Sequence, residues 1–309
     1  MKHKCQRLSA VTGVLEDFWV TVSSKSGLFV RKGYYRRSSD GQKIRRWYCK
    51  HCKKFFSGSG ENPCFGQKKR NLNHRIFLLL SSGVSQRRAA LLLGLNRKTV
   101  VRKFQFLAEQ CRIKHDQWIK SLPKQSIQSV NFDDLETSEH TKCKPLSVAL
   151  AVEPEKRKIL SYQVSQMPAK GLLARIALQK YGPRKDERPQ GWRRLFESLH
   201  STVSPQATWT SDQNPHYPKY LKSAFPESTH IAVKSRRGCV VGQGELKKQG
   251  FDPLFSLNHT CAMLRANMNR LMRRTWCTTK KKQGLLDHLA IYVHYHNHFL
   301  TPQIPQGAH

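Results

Sequence analysis

Between residues 126 and 164 three short apolar runs follow one another, and the first leads straight into a pair of acids. Residues 126–132 (Ser-Ile-Gln-Ser-Val-Asn-Phe) enter Asp133-Asp134-Leu135-Glu136, and residues 146–152 (Leu-Ser-Val-Ala-Leu-Ala-Val) form the second run. Glu153-Pro154-Glu155-Lys156 then turns the chain into the third, residues 159–164. Short runs of aliphatic and β-branched residues bounded by turn residues read as strands. They predict a three-strand meander with Asp133 and Asp134 at the end of its first strand. A later run, residues 207–211, enters Asp212 directly, and two helical patterns close the chain. An α/β body with a mixed sheet and flanking helices is therefore expected over residues 123–309. A basic, aromatic-rich module at 1–70 and a helical region at 71–122 precede it. Pro123 disfavours helix at the residue before it, so the helical region should stop there.

These acids stand out because the rest of the chain is so basic. Lys and Arg outnumber Asp and Glu by 55 to 20 over 309 residues, a formal net charge of +35. Such a surplus attracts polyanions, and each phosphate neutralised releases counterions, so double-stranded DNA is the expected partner. Hydrophobic residues at 38%, with six Trp, still provide for a real core, unlike a purely charged structural protein. No run approaches the roughly 20 apolar residues of a membrane span. No apolar stretch follows Met1-Lys2-His3-Lys4-Cys5 as in a secretory leader. Nine cysteines, an odd number, read as a reduced chain. The expected location is the cytoplasm, at the nucleoid.

Cys49-Lys50-His51-Cys52, after a strand-like run and before Phe55 and Phe56, has the spacing of half a tetrahedral zinc site. The matching place upstream, Ser23-Ser24-Lys25-Ser26-Gly27, keeps the spacing and the glycine but has no sulfur. Cys64, His51 or Cys5 are the other possible donors. Zinc on Cys49 and Cys52, and a zinc-ribbon-like module held by packing alone, both stay open. Arg31, Lys32, Arg36, Arg37, Lys43, Arg45 and Arg46 suit phosphate contact in either case.

Residues 73–81 are an apolar helical run ending at Ser82-Gly83. Ser85 can then cap a short helix in which Ala89 and Ala90 allow close crossing, Gly94 a tight turn, and Leu95 a plug. Asn96 can cap a second helix that shows Arg97, Lys98, Arg102 and Lys103 to solvent and buries Val100, Val101 and Phe104. This is the layout of a helix-turn-helix whose second helix enters the major groove.

Carboxylates at strand ends can converge on Mg2+ or Mn2+, and two such ions stabilise the attacking and leaving oxygens of phosphodiester transfer. Three segments together resemble the DDE transposases of bacterial insertion sequences, nearest the branch typified by the first-described insertion sequence. They are Asp133-Asp134-Leu135-Glu136, Ser211-Asp212-Gln213-Asn214-Pro215-His216-Tyr217, and residues 257–275 with their arginine-rich end. The closing Tyr295-His296-Asn297 is also similar, and the likeness covers nearly the whole chain. The resemblance implies an RNase H-like catalytic domain, Asp133 as first and Asp212 as second metal carboxylate, and a two-metal Mg2+ or Mn2+ reaction. Strand alternation alone leaves Asp134 as a rival for the first place. The family's third acid, a Glu seven residues before a Lys or Arg, is here Asn258 before Arg265. Both lie on one helical face, with Leu257, Cys261, Leu264, Met268 and Leu271 as the apolar stripe. Glu245 is the alternative source of the third charge. Arg265, Arg273 and Arg274 would contact DNA, and so would a basic hairpin at residues 234–244. The glycines of that hairpin do not form a nucleotide-binding loop. His288, His294, His296 and His298 are read as packing and surface residues. By the resemblance the protein would bind the terminal inverted repeats of an element and catalyse strand cleavage and transfer as a homo-oligomer on DNA. The alternative is a catalytically decayed DNA-binding remnant.

Overall fold

The computed structural model describes the backbone of residues 2–8 and 15–21 and, with side chains, residues 28–58, 62–234, 252–272 and 277–301. Ser23 to Gly27, residues 235–244 of the basic hairpin, Glu245, Arg273 and Arg274 lie outside the described residues. The chain divides into two compact units, Met1–Arg75 and Ile76–His309.

In the first unit β1 (Lys2–Leu8) and β2 (Leu15–Thr21) form an antiparallel hairpin. β3 (Phe29–Arg36), β4 (Lys43–Cys49) and β5 (Phe55–Phe56) form a three-stranded antiparallel sheet. The β3–β4 turn is fastened by Arg37, whose Nε donates to Asp40 Oδ1 at 2.8 Å. The Cys49–Cys52 segment is the β4–β5 turn, closed by Cys49 N–H to Lys54 O at 3.0 Å, with Lys53 at φ 55°.

The second unit starts with three helices: α1 (Asn73–Ser81), which straddles the boundary, α2 (Gln86–Leu92) and α3 (Arg97–Ser121). Both expected caps form. Ser85 accepts from Arg88 N at 3.2 Å and Asn96 from Lys98 N at 2.8 Å, and Gly94 takes φ 59° in the turn between them. α3 ends at Ser121, ahead of Pro123. Its buried positions are Val100, Lys103, Phe104, Leu107, Ala108, Cys111 and His115. Lys103 therefore departs from the expectation of a solvent-facing residue: it is 5% exposed. The stripe recurs every three to four residues, and position 103 falls on it, so its aliphatic stem is covered. Val101 is only half-buried.

The sheet follows. β6 (Ile127–Ser138), β7 (Pro145–Glu153) and β8 (Lys158–Gln166) form an antiparallel meander. α4 (Leu173–Tyr181) and α5 (Arg188–Glu197) lead to β9 (Val203–Asp212), then α6 (Tyr217–Ala224) and β10 (Thr229–Val233). The strand order is β10-β9-β6-β7-β8, with β9 parallel to both β6 and β10. Asp133 and Asp134 are not at the end of the first strand, as the sequence suggested. They pair with Leu150 and Ala149 inside the ladder. The apolar run of β7 extends back to Leu146 and supplies ladder partners as far as Ser138, which outweighs the low strand preference of Asp.

One face of the sheet packs Phe132, Trp209 and Leu160 against Trp192 and Phe196 of α5 and Tyr217 and Leu221 of α6. The other packs Leu135, Leu146 and Leu150 against α7 (Phe255–Asn267) and α8 (Lys282–Tyr295). β7 is buried on both faces, as a central strand between two helical layers should be. α7 stops at Asn267, so Met268 and Leu271 are buried beyond the helix and not on it. α3 lies along α8, held by Arg112 Nη1 to Asp287 Oδ1 at 2.9 Å. His288 Nε2 meets Leu80 O at 2.8 Å and His296 Nε2 meets Arg157 O at 2.8 Å, so these two histidines are packing residues.

A π-helical turn, His296–Leu300, continues α8 and brings Asn297 against the edge strand β8. Its amide accepts from Ile159 N at 2.9 Å and donates to Ile159 O at 2.8 Å, replacing a neighbouring strand. Asn297→Ala should lower unfolding free energy in urea by about 2–4 kcal/mol, since two buried backbone groups lose their partner. A loss below about 0.5 kcal/mol, the range of a neutral surface change, would show that this edge closure is not needed.

Candidate functional site

The parallel ladder between β6 and β9 fixes the position of the acids. Asn131 pairs with Thr210, so two residues further along, Asp133 stands beside Asp212 on the same face of neighbouring strands. Asp134 alternates to the other face. There Trp192 Nε1 donates to both of its carboxylate oxygens, each at 3.1 Å. The register thus puts Asp133, and not Asp134, on the same face as Asp212.

The acids line an open cavity of about 490 Å3 together with Glu136, Lys170, Arg188, Gln213, Asn214, Tyr217 and Lys234. Asp133 Oδ1 accepts from Asp134 N at 2.6 Å and from the Tyr217 hydroxyl at 3.2 Å. Asp212 Oδ1 accepts from Asn214 N at 3.2 Å. Among the described residues no hydrogen bond or ion pair holds the second oxygen of either carboxylate. Two of the cations nearby have other partners: Lys170 Nζ is 2.7 Å from Glu136 Oε1, and Arg188 Nη2 is 2.6 Å from Asp186 Oδ2.

The electrostatic consequence is large. Burial, and then the charge of Asp212, push the Asp133 carboxyl up to about 7. Burial pushes Asp134 up to about 6, opposed by the Trp192 hydrogen bond and the charge of Arg188. Burial raises the Tyr217 phenol, and the surrounding carboxylates add to it.

Partly buried, unpaired carboxylates on adjacent strands are costly unless a cation compensates them. Their donor set is hard oxygen. Among the described residues no group of three His, Cys, Asp or Glu side chains could hold a metal ion, and this includes Cys49 and Cys52. Mg2+ is commonly held by one or two carboxylates completed by water and substrate phosphates, so Asp133 and Asp212 fit it without a third protein acid.

Asn258 is not brought into the cavity. It is exposed on α7, and its amide donates to Asp252 Oδ2 at 3.0 Å. The α7 residue that lies within the field of Asp133 is Cys261, whose thiol is raised to about 12 by burial first and by Asp133 second. Arg265 is half-buried one turn further on. Arg97, Lys98 and Arg102 are exposed on the first turns of α3. In the first unit Cys49 is buried and Cys52 half-buried. Asn73 Nδ2 donates to Cys64 Sγ at 3.4 Å.

Sequence reasoning did not assign Tyr217, Trp192, Arg188 or Lys170 to the site, and gave Lys234 only as part of a basic hairpin. Tyr217 could have been found, because it ends the Asp212-to-Tyr217 motif. The others arrive from separate elements and leave no local signal. No known protein family matches the chain, and none of the curated proteins matches it.

Because the folded state holds on to the Asp133 proton up to about pH 7, whereas an unfolded Asp loses it near pH 4, ionisation favours unfolding in between. Metal-free protein should therefore lose stability as pH rises from about 4 to about 7. Asp133→Asn should flatten that decline in chemical denaturation with EDTA present. An unchanged slope in the variant would show that Asp133 is not the strained group.

Proposed function

We propose that this chain is a DDE-type transposase with an RNase H-like core. The observation that carries the reading is the pairing of Asp133 with Asp212 on adjacent parallel strands, each with one carboxylate oxygen unheld, in a chain of net charge +35. A mixed sheet flanked by helices on both faces is compatible with that core.

Asp133 and Asp212 would hold Mg2+ or Mn2+, which supplies charge stabilisation to the attacking and leaving oxygens of a phosphodiester. Lys170, Arg188 and Lys234 at the cavity rim draw the DNA backbone in. Trp192 keeps Asp134 turned away from the reacting face, so that Asp133 alone meets Asp212. Cleavage frees a 3′-hydroxyl at the element end, which then attacks target DNA with no covalent protein intermediate. The helices α2 and α3 form the helix-turn-helix, with Arg97, Lys98 and Arg102 reading or gripping the terminal repeats. Pairing two element ends requires a homo-oligomer on DNA, acting at the nucleoid.

A second reading is a DNA-binding remnant without catalysis. Asn258 favours it: the place of the third acid is neutral and turned toward Asp252.

One experiment separates the two. A terminal-repeat duplex is incubated with Mn2+ and either wild type or Asp212→Asn. The transposase reading predicts cleavage by wild type and none by the variant, with both binding the duplex. Binding without cleavage by either protein would establish the remnant, and equal cleavage by both would place the chemistry elsewhere. For the DNA-binding helix, Arg102→Ala should reduce the salt slope of duplex binding by about one. An unchanged slope would remove Arg102 from the phosphate contacts.

A further inference from the structure

We propose that Tyr217 is a positioning residue that orients the carboxylate of Asp133 for a divalent cation and ties it to the turn that orients Asp212. This rests on the cation reading of the Asp133–Asp212 pair.

Tyr217 opens α6 and is 1% exposed. Its ring is clamped at 4.3 Å from Phe132 and 5.3 Å from Trp192, centroid to centroid. The hydroxyl is thereby fixed against Asp133 Oδ1, the same oxygen that takes the Asp134 N–H. Two donors on one oxygen stop the carboxylate from rotating and leave Oδ2 as the oxygen available to a ligand.

The same turn serves Asp212. Asn214 N–H holds Asp212 Oδ1, Asn214 Oδ1 accepts from His216 N at 3.1 Å, and Asn214 O accepts from Tyr217 N at 3.2 Å. Residues 212–217 thus form one folded unit that leaves each carboxylate with one oxygen held and one presented. Groups that orient metal ligands in this way commonly contribute a factor of about 10–100 to metal affinity.

The test uses the full chain and Mn2+ alone, titrated by calorimetry and by the loss of the free-ion EPR signal. Tyr217→Phe keeps the ring and removes the hydroxyl. Its Mn2+ dissociation constant should rise about 10–100-fold. Its metal-free melting temperature should move by no more than about 4 °C. Tyr220→Phe, on the same helix and 5.4 Å from Trp192, is the packing control and should bind Mn2+ as wild type does. In an Asp133→Asn background, Tyr217→Phe should have a much smaller effect, because its hydroxyl's direct route to the cation, through Asp133, is gone. Affinity within twofold of wild type in Tyr217→Phe would overturn the proposal, as would an equal loss in Tyr220→Phe. No saturable Mn2+ uptake by wild type would overturn the cation reading itself, and this proposal with it.

Discussion

The parallel pairing of β6 with β9 is the joint on which the rest of the molecule depends. A parallel neighbour cannot be reached by a hairpin, so the chain crosses from β8 through α4 and α5 before entering β9. Trp192 and Phe196 of α5 pack under Phe132 and Trp209, one from each of the two strands. That aromatic cluster fixes the register, and a slip of one residue would turn Asp212 to the opposite face from Asp133.

Register alone would leave two like charges side by side in a half-buried place. Burial and repulsion act together there, and no basic side chain among the described residues pairs with either carboxylate. In a chain with 35 more basic than acidic residues this is notable, because cations are abundant and two of those lining the cavity are held by other acids. Lys170 is tied to Glu136 and Arg188 to Asp186. In the proposed reading the fold keeps Lys170 and Arg188 at the rim and leaves the acids to an external cation. The Trp192 indole holds the Asp134 carboxylate on the other face, so the facing pair is Asp133 and Asp212, one from each strand.

How much of this was legible in the sequence follows from which interactions are local. The three-strand meander, the Ser85 and Asn96 caps and the helix end before Pro123 depend on neighbouring residues, and they form as expected except that the first strand runs on through Asp133 and Asp134 to Ser138. Asp212 was legible because its strand run ends on it. The choice between Asp133 and Asp134 was not, since alternation gives them opposite faces without saying which face Asp212 shares. Asn258 and Arg265 do occupy one helix, as the spacing required. The rotation of α7 about its axis depends on packing against β6 and β7, and it turns Cys261, not Asn258, toward Asp133. Lys103 was misplaced because charge was weighed over its place in the stripe that faces α8. Trp192 and Asn297 act across long sequence separations and have no local signature.

In the proposed reading Asp133 and Asp212 form a divalent-cation site by virtue of their register. This reading is tested most directly by anomalous diffraction at the manganese edge from crystals soaked in Mn2+. A peak contacting one carboxylate oxygen of Asp133 and one of Asp212, and lost in Asp212→Asn crystals, is the expected result. A cavity free of manganese at saturating Mn2+, or a peak bound elsewhere in the chain, would contradict it.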